Sequence, residues 1–119
     1  MSTISLTLDE IFELAKKTLL ANGCDDETAT ILSELIKNAE RDGSISHGLF
    51  RLPAYISGLK SGKINGKGKP EVKKVSASVI KVEGNNSLAP VVLNKSLPEL
   101  SKAAKENGVA VLAINNSHH

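Results

Sequence analysis

His47 and Arg51, four positions apart, form the pair in this chain with the plainest chemical use. An imidazole takes up and returns a proton near neutral pH, and a guanidinium fork grips a carboxylate through two parallel hydrogen bonds. On a continuous helix the two side chains project from one face, one turn apart. An acid held by Arg51 would then present the oxygen or nitrogen of its neighbouring carbon to His47, a geometry that suits a 2-oxo or 2-imino acid. A place at the start of a helix also sets the imidazole near free amide groups, a position suited to proton exchange. The structural alternatives are a capping or surface histidine, and an arginine that is solvated or paired with Glu40 or Asp42. Gly43 and Gly48 flank Ser44 to His47 and either let backbone approach a ligand or simply make turns.

The remaining reactive residues point less sharply. His118 and His119 are metal ligands, active-site groups or the remnant of an affinity tag; adjacent histidines diverge in an extended chain, which disfavours one shared metal. Cys24 has no cysteine partner for a disulfide or a thiolate zinc site and stands beside acids, so it reads as packing in a reducing compartment. Thirteen of the fifteen cations are lysines, and the only arginines, Arg41 and Arg51, bracket His47. A formal net charge of +2 is too small to argue for nucleic acid. Lys60, Lys63, Lys67, Lys69, Lys73 and Lys74 form a basic run that reads as solvated linker. Its alternative is a stand-alone module binding phosphate or nucleic acid through Lys63, Lys67 and Lys69. Gly62, Gly66 and Gly68 match neither a dinucleotide fingerprint nor a P-loop.

The elements that must position these residues are legible in outline. At 119 residues with 40% apolar and 24% charged residues, the chain has room for one domain and the start of another. Thr7 to Glu10 has capping-box spacing, and Leu8, Ile11, Phe12, Ala15 and Leu19 then recur at helical intervals until Gly23. Asp25, Asp26 and Glu27 open a second helix with a stripe of Leu32, Leu35, Ile36 and Ala39, ending near Arg41 to Gly43. Ser44 to Leu59 predicts a third, which with Ser46 as N-cap meets Pro53 beyond its first turn and is either bent there or divided into two short helices. Ser61 to Pro70 is the best candidate linker.

Beyond it the pattern changes to β-branched runs, Val72 to Val75 and Ser78 to Val82, which predict two adjacent strands closed by Gly84, Asn85 and Asn86. Ser87 to Asn94 and then Ser96 onward read as helical, with a second capping-box spacing at Ser96 to Glu99 and a stop at Gly108. Val109 to Ile114 predicts a buried strand. The fold class is therefore α+β, a helical region at 1–68 with its linker and an α/β region at 69–119. The last strand delivers Asn115 to His119 at its carboxyl end, where α/β proteins put their ligands. No apolar run approaches the roughly 20 residues of a membrane helix, and the first ten residues lack the pattern of a signal peptide. A cytoplasmic protein without a membrane partner is the expectation.

The run DGSISHGLFRLPAY from Asp42 to Tyr55, with Gly58, Gly62 to Asn65 and Ala110 to His119, resembles the malate/L-lactate dehydrogenase family that lacks the usual Rossmann fold. That family includes ureidoglycolate and sulfolactate dehydrogenases and reductases of cyclic imino acids such as Δ1-piperideine-2-carboxylate. The resemblance implies that residues 69–119 begin a non-Rossmann coenzyme-binding domain, truncated at His119. By the same resemblance His47 would be the proton donor in reduction and acceptor in oxidation, Ser46 its relay partner and Arg51 the clamp on the substrate carboxylate. Ser117, His118 and His119 would belong to the coenzyme-binding loop, with His119 near substrate as well. The implied cofactor is NAD or NADP, the substrate a 2-oxo, 2-hydroxy or cyclic imino acid, and the complete protein a homodimer. Members of the family are far longer, so the implied state of this chain alone is an inactive amino-terminal piece lacking the relay aspartate.

Overall fold

The computed structural model describes residues 2–119. The chain divides into two compact units, one ending at Gly62 and the other running from Lys63 to His119.

The first unit is helical. α1 (Leu8–Ala21) begins at Thr7, whose hydroxyl accepts from the Glu10 amide while the Glu10 carboxylate accepts from the Thr7 amide, so both halves of the capping box are made. α2 (Asp26–Arg41) is capped by the Asp25 carboxylate accepting from the Thr28 amide at 2.9 Å. Ile11, Ala15 and Leu19 of α1 and Ala29, Leu32 and Ile36 of α2 are buried, the two apolar stripes expected of a helix pair. Cys24 is buried between the helices, as its reading as packing requires.

The expected helix start at Ser46 is not observed, and the segment is divided and not one bent helix. Two 3-10 turns, Ile45–His47 and Leu49–Arg51, precede α3 (Leu52–Ser61). Pro53 lies in the first turn of α3, where its missing N–H has no intrahelical acceptor and its fixed φ suits the helix, so it starts α3 and does not kink it.

The second unit is a three-stranded sheet with one helix. β1 (Glu71–Lys74) pairs antiparallel with β2 (Val79–Glu83), as the β-branched runs suggest. β3 (Val111–Asn115) pairs parallel with β2, with Val79 opposite Val111 and Glu83 opposite Asn115. α4 (Ala89–Asn107) makes the crossover between them and packs Val92 and Ala103 on Ile80 and Val82, with Leu112 and Ile114 against the same core.

Two expectations fail here. The predicted pair of helices is one, because Ser96 is no cap: its hydroxyl is buried and donates to the Val92 carbonyl at 2.7 Å, and the helix continues through Pro98. β3 is not a buried strand, since it packs one face only: Leu112 and Ile114 rest against the core while Val111 on the other face is 55% exposed. The candidate linker packs as well: Ile64 is 3% exposed, and the Asn65 amide donates to the Asn86 carbonyl at 2.9 Å.

Candidate active site

The residues of interest in the first unit hang from the end of α2. Asp42 caps the helix, Gly43 turns the chain at φ 76°, and the Ser44 amide returns to the Ala39 carbonyl at 2.8 Å. The left-handed φ is the reason for glycine at position 43. His47 closes the first 3-10 turn by donating its amide to the Ser44 carbonyl at 2.9 Å. It therefore does not stand in the first turn of an α-helix beside free amide groups, as the sequence suggests.

What holds the imidazole is a pair of hydroxyls. Nδ1 of His47 lies 3.0 Å from Ser46 Oγ and 3.4 Å from Ser44 Oγ. A hydroxyl both donates and accepts, so this contact is compatible with a neutral ring and with a protonated one. The arrangement occupies Nδ1 and leaves Nε2 as the ring nitrogen open to a ligand. Ser44 is a contact that sequence reasoning missed, since the tight turn that brings it to His47 is not legible in the spacing alone.

Arg51 does not follow His47 on one continuous helix, because Gly48 separates the two turns. The guanidinium instead reaches back: Nε donates to the Ser46 carbonyl at 3.0 Å. Among the described residues no carboxylate pairs with it. Asp42 is taken by Arg41 through two hydrogen bonds of 2.7 and 3.0 Å, and that guanidinium holds the Asp42 carboxyl below its ordinary range. Glu40 is likewise engaged, its Oε1 accepting from the Leu49 amide at 2.8 Å. Both carboxylates proposed as structural partners of Arg51 thus have other partners, and the Nη groups keep their fork. Burial pushes the nearby half-buried Tyr55 phenol up, against the opposing effect of the Arg51 charge. Ser44, Ser46, His47 and Arg51 are all exposed.

The second unit holds the segment of Ser117, His118 and His119 through the backbone of Asn116 and His118. Asn116 takes a left-handed φ of 52°, and the chain then runs beside Ser87 and Leu88. The His118 amide donates to the Ser87 carbonyl at 2.9 Å, and the Ala89 amide donates to the His118 carbonyl at 2.7 Å. Glu83 braces the turn: its two carboxylate oxygens accept from the Asn85 amide and from Asn116 Nδ2, each at 2.9 Å. A methyl group on Gly84 would meet the Asn116 carbonyl oxygen at 2.6 Å, so the close strand-end approach demands glycine there. Ser117 and His118 are half-buried and His119 is exposed.

The basic run is no uniform cationic surface. Lys67 and Lys69 border a polar cleft together with Glu71 and Glu83, and buried Gly66 and Gly68 alternate with the lysines. Among the described residues no cluster of three metal-ligating side chains occurs, and no helix is long and apolar enough to cross a membrane.

Comparison with known proteins supplies the class. The sequence profile of malate/L-lactate dehydrogenases matches residues 6–119, and the chain belongs to that family of oxidoreductases. It is 38% identical over 117 residues to a Δ1-pyrroline-2-carboxylate/Δ1-piperideine-2-carboxylate reductase of Pseudomonas syringae pv. tomato, covering 98% of this chain and 34% of the relative. A malate/(S)-sulfolactate dehydrogenase of Methanothermus fervidus is 36% identical over 111 residues, covering 93% of this chain and 33% of that protein. The crystal structure of Δ1-piperideine-2-carboxylate reductase from Pseudomonas syringae superposes with a TM-score of 0.93 at 38% identity, covering 98% of this chain and 35% of that one. The chain spans about a third of the length of the curated relatives it matches. The match covers residues of both units, whose elements are mixed α+β.

Proposed function

We propose that the protein to which this chain contributes is an NAD(P)-dependent oxidoreductase acting at C2 of a cyclic 2-imino acid or of a 2-oxo/2-hydroxy acid pair. The observation that carries this reading is the double use of Ser46. Its hydroxyl orients the His47 ring and its carbonyl anchors Arg51 Nε, so one residue ties the proton-transferring group to the carboxylate-binding group. Arg51 takes the substrate carboxylate on its Nη face. His47 Nε2 gives a proton to the C2 substituent in reduction and removes it in oxidation, while Ser46 Oγ, its relay partner, keeps a hydrogen bond to Nδ1 in both ring states.

The bound nicotinamide nucleotide supplies or accepts the hydride. Ser117, His118 and His119 are the residues of this chain that fit it. The amides at the start of α4 are already spent, since Ala89 donates to His118, Pro90 has no N–H, and Val91 and Val92 both donate to the Leu88 carbonyl. No amide cradle for a diphosphate remains there, so the contact proposed for this chain runs through the side chains of 117–119. A cytoplasmic homodimer is part of the same proposal, as is the inactivity of residues 1–119 alone.

The test is NADH and NADPH consumption by the full-length protein with Δ1-pyrroline-2-carboxylate, Δ1-piperideine-2-carboxylate and 2-oxo acids, each beside its carboxamide. Consumption with at least one acid and not with its amide is the expected result. No consumption with any of them, or equal rates with acid and amide, would overturn the reading.

A further inference from the structure

We propose that Glu40 is the positioning residue of the His47 segment, acting as a side-chain acceptor that fixes where the segment ends. This role rests on the reading of His47 as the proton-transferring group. Glu40 lies in the last turn of α2, half-buried, and its Oε1 accepts from the amide of Leu49, nine residues on. That amide opens the second 3-10 turn and has no intrahelical partner, and Gly48 before it has no side chain to cap it. Glu40 therefore supplies from a neighbouring helix the acceptor that an N-cap residue would supply locally.

Gly48 is shaped by the same contact. A methyl group there would lie 2.6 Å from Glu40 Cδ, so a side chain at position 48 would displace the Glu40 carboxylate from its present place. Its φ of −88° lies outside the left-handed region, and the Glu40 carboxylate occupies the space a side chain at 48 would take. The glycine that could have admitted a ligand admits Glu40.

The segment between has little else to hold it. The first 3-10 turn buries no residue, and Ser44, Ile45, Ser46 and His47 are all exposed. Its ends are tied to adjacent residues of α2: the Ser44 amide to the Ala39 carbonyl, and the Leu49 amide to the Glu40 carboxylate. The second tie also fixes Gly48, whose carbonyl accepts the Arg51 amide at 3.0 Å. Loss of the Glu40 acceptor frees the end of the segment that connects His47 to Arg51, and both groups lose their common frame.

The test separates acceptor geometry from charge in the full-length protein. Glu40→Ala removes the acceptor, Glu40→Asp keeps the charge but withdraws the oxygens by one carbon–carbon bond, and Glu40→Gln keeps the acceptor without the charge. Displacement of a catalytic pair on the order of 1 Å lowers turnover by roughly 100-fold, so Glu40→Ala and Glu40→Asp are expected to lose about that much in kcat/KM. Glu40→Gln is expected to recover most of it. The 15N signals of the His47 ring, assigned by their loss in His47→Gln, are expected to move in the Ala and Asp variants and to return in the Gln variant. Ring signals unchanged in folded Glu40→Asp, or Glu40→Gln as impaired as Glu40→Ala, would overturn the proposal. The ring signals are read without turnover, so they test Glu40 even if no substrate is consumed. Activity retained by His47→Gln would instead count against the catalytic reading.

Discussion

The two segments that carry the functional side chains are held in opposite ways. Ser44 to Arg51 bury little and depend on discrete hydrogen bonds reaching across from α2 and from one another. Ser117 to His119 are carried by backbone pairing to Ser87 and Leu88, at the end of a strand whose inner face rests on the core. Side-chain changes should therefore reshape the first segment while leaving the fold intact. The second should tolerate side-chain change and fail when its backbone approach is blocked.

The sharpest break in that contrast is Arg51→Ala in the full-length protein. Loss of a charge-assisted fork to the substrate carboxylate is expected to lower kcat/KM by about 100-fold or more, mainly through KM, with the melting temperature unchanged. Arg51→Lys should not recover it, because an ammonium lacks the fork. In the second segment Gly84→Ala has the larger structural consequence. The added methyl forces the Gly84 to Asn115 approach apart, for a loss of about 2 kcal/mol that a denaturant titration would read. A stability equal to wild type would show that the strand-end packing gives way easily.

Ser46→Ala sharpens the comparison by removing the hydroxyl at Nδ1 while leaving the carbonyl that anchors Arg51. About a tenfold loss in kcat with KM nearly unchanged is expected. A rise in KM as large as that of Arg51→Ala would mean that the hydroxyl holds both groups. The smallest effect belongs to Cys24, outside both segments. Burial first, and the Asp25 charge second, push its thiol from 9.0 up to about 11. The unfolded chain then releases the proton at lower pH than the folded one, so stability is fully present below about pH 9 and falls as pH rises toward 11. Cys24→Ala should flatten that fall, as measured by unfolding free energy across the same range.

The legible part of the structure is the local part. Thr7 with Glu10, Asp25 before α2 and the β-branched runs at 72–75 and 78–82 each act within a few residues, and the elements they predict are present. Ser96 to Glu99 has the same spacing as Thr7 to Glu10 but a different outcome. Its hydroxyl finds the Val92 carbonyl inside a helix held by Val92 and Ala103 against the sheet. Pro53 starts α3 and does not kink it because the helix begins at Leu52, after a break at Gly48 that no local spacing announces. Composition marked Val109 to Ile114 as a buried strand but not which face α4 would cover. The types and spacing of His47 and Arg51 were visible. The reach of Arg51 back to the Ser46 carbonyl was not, since it depends on the break at Gly48.

The most direct test of the central claim is the rate of NAD(P)H oxidation at saturating acid substrate by the full-length protein, wild type beside His47→Gln. The account predicts a loss of roughly 1000-fold in the variant, with its fold and substrate binding kept. A variant within threefold of wild type would contradict it.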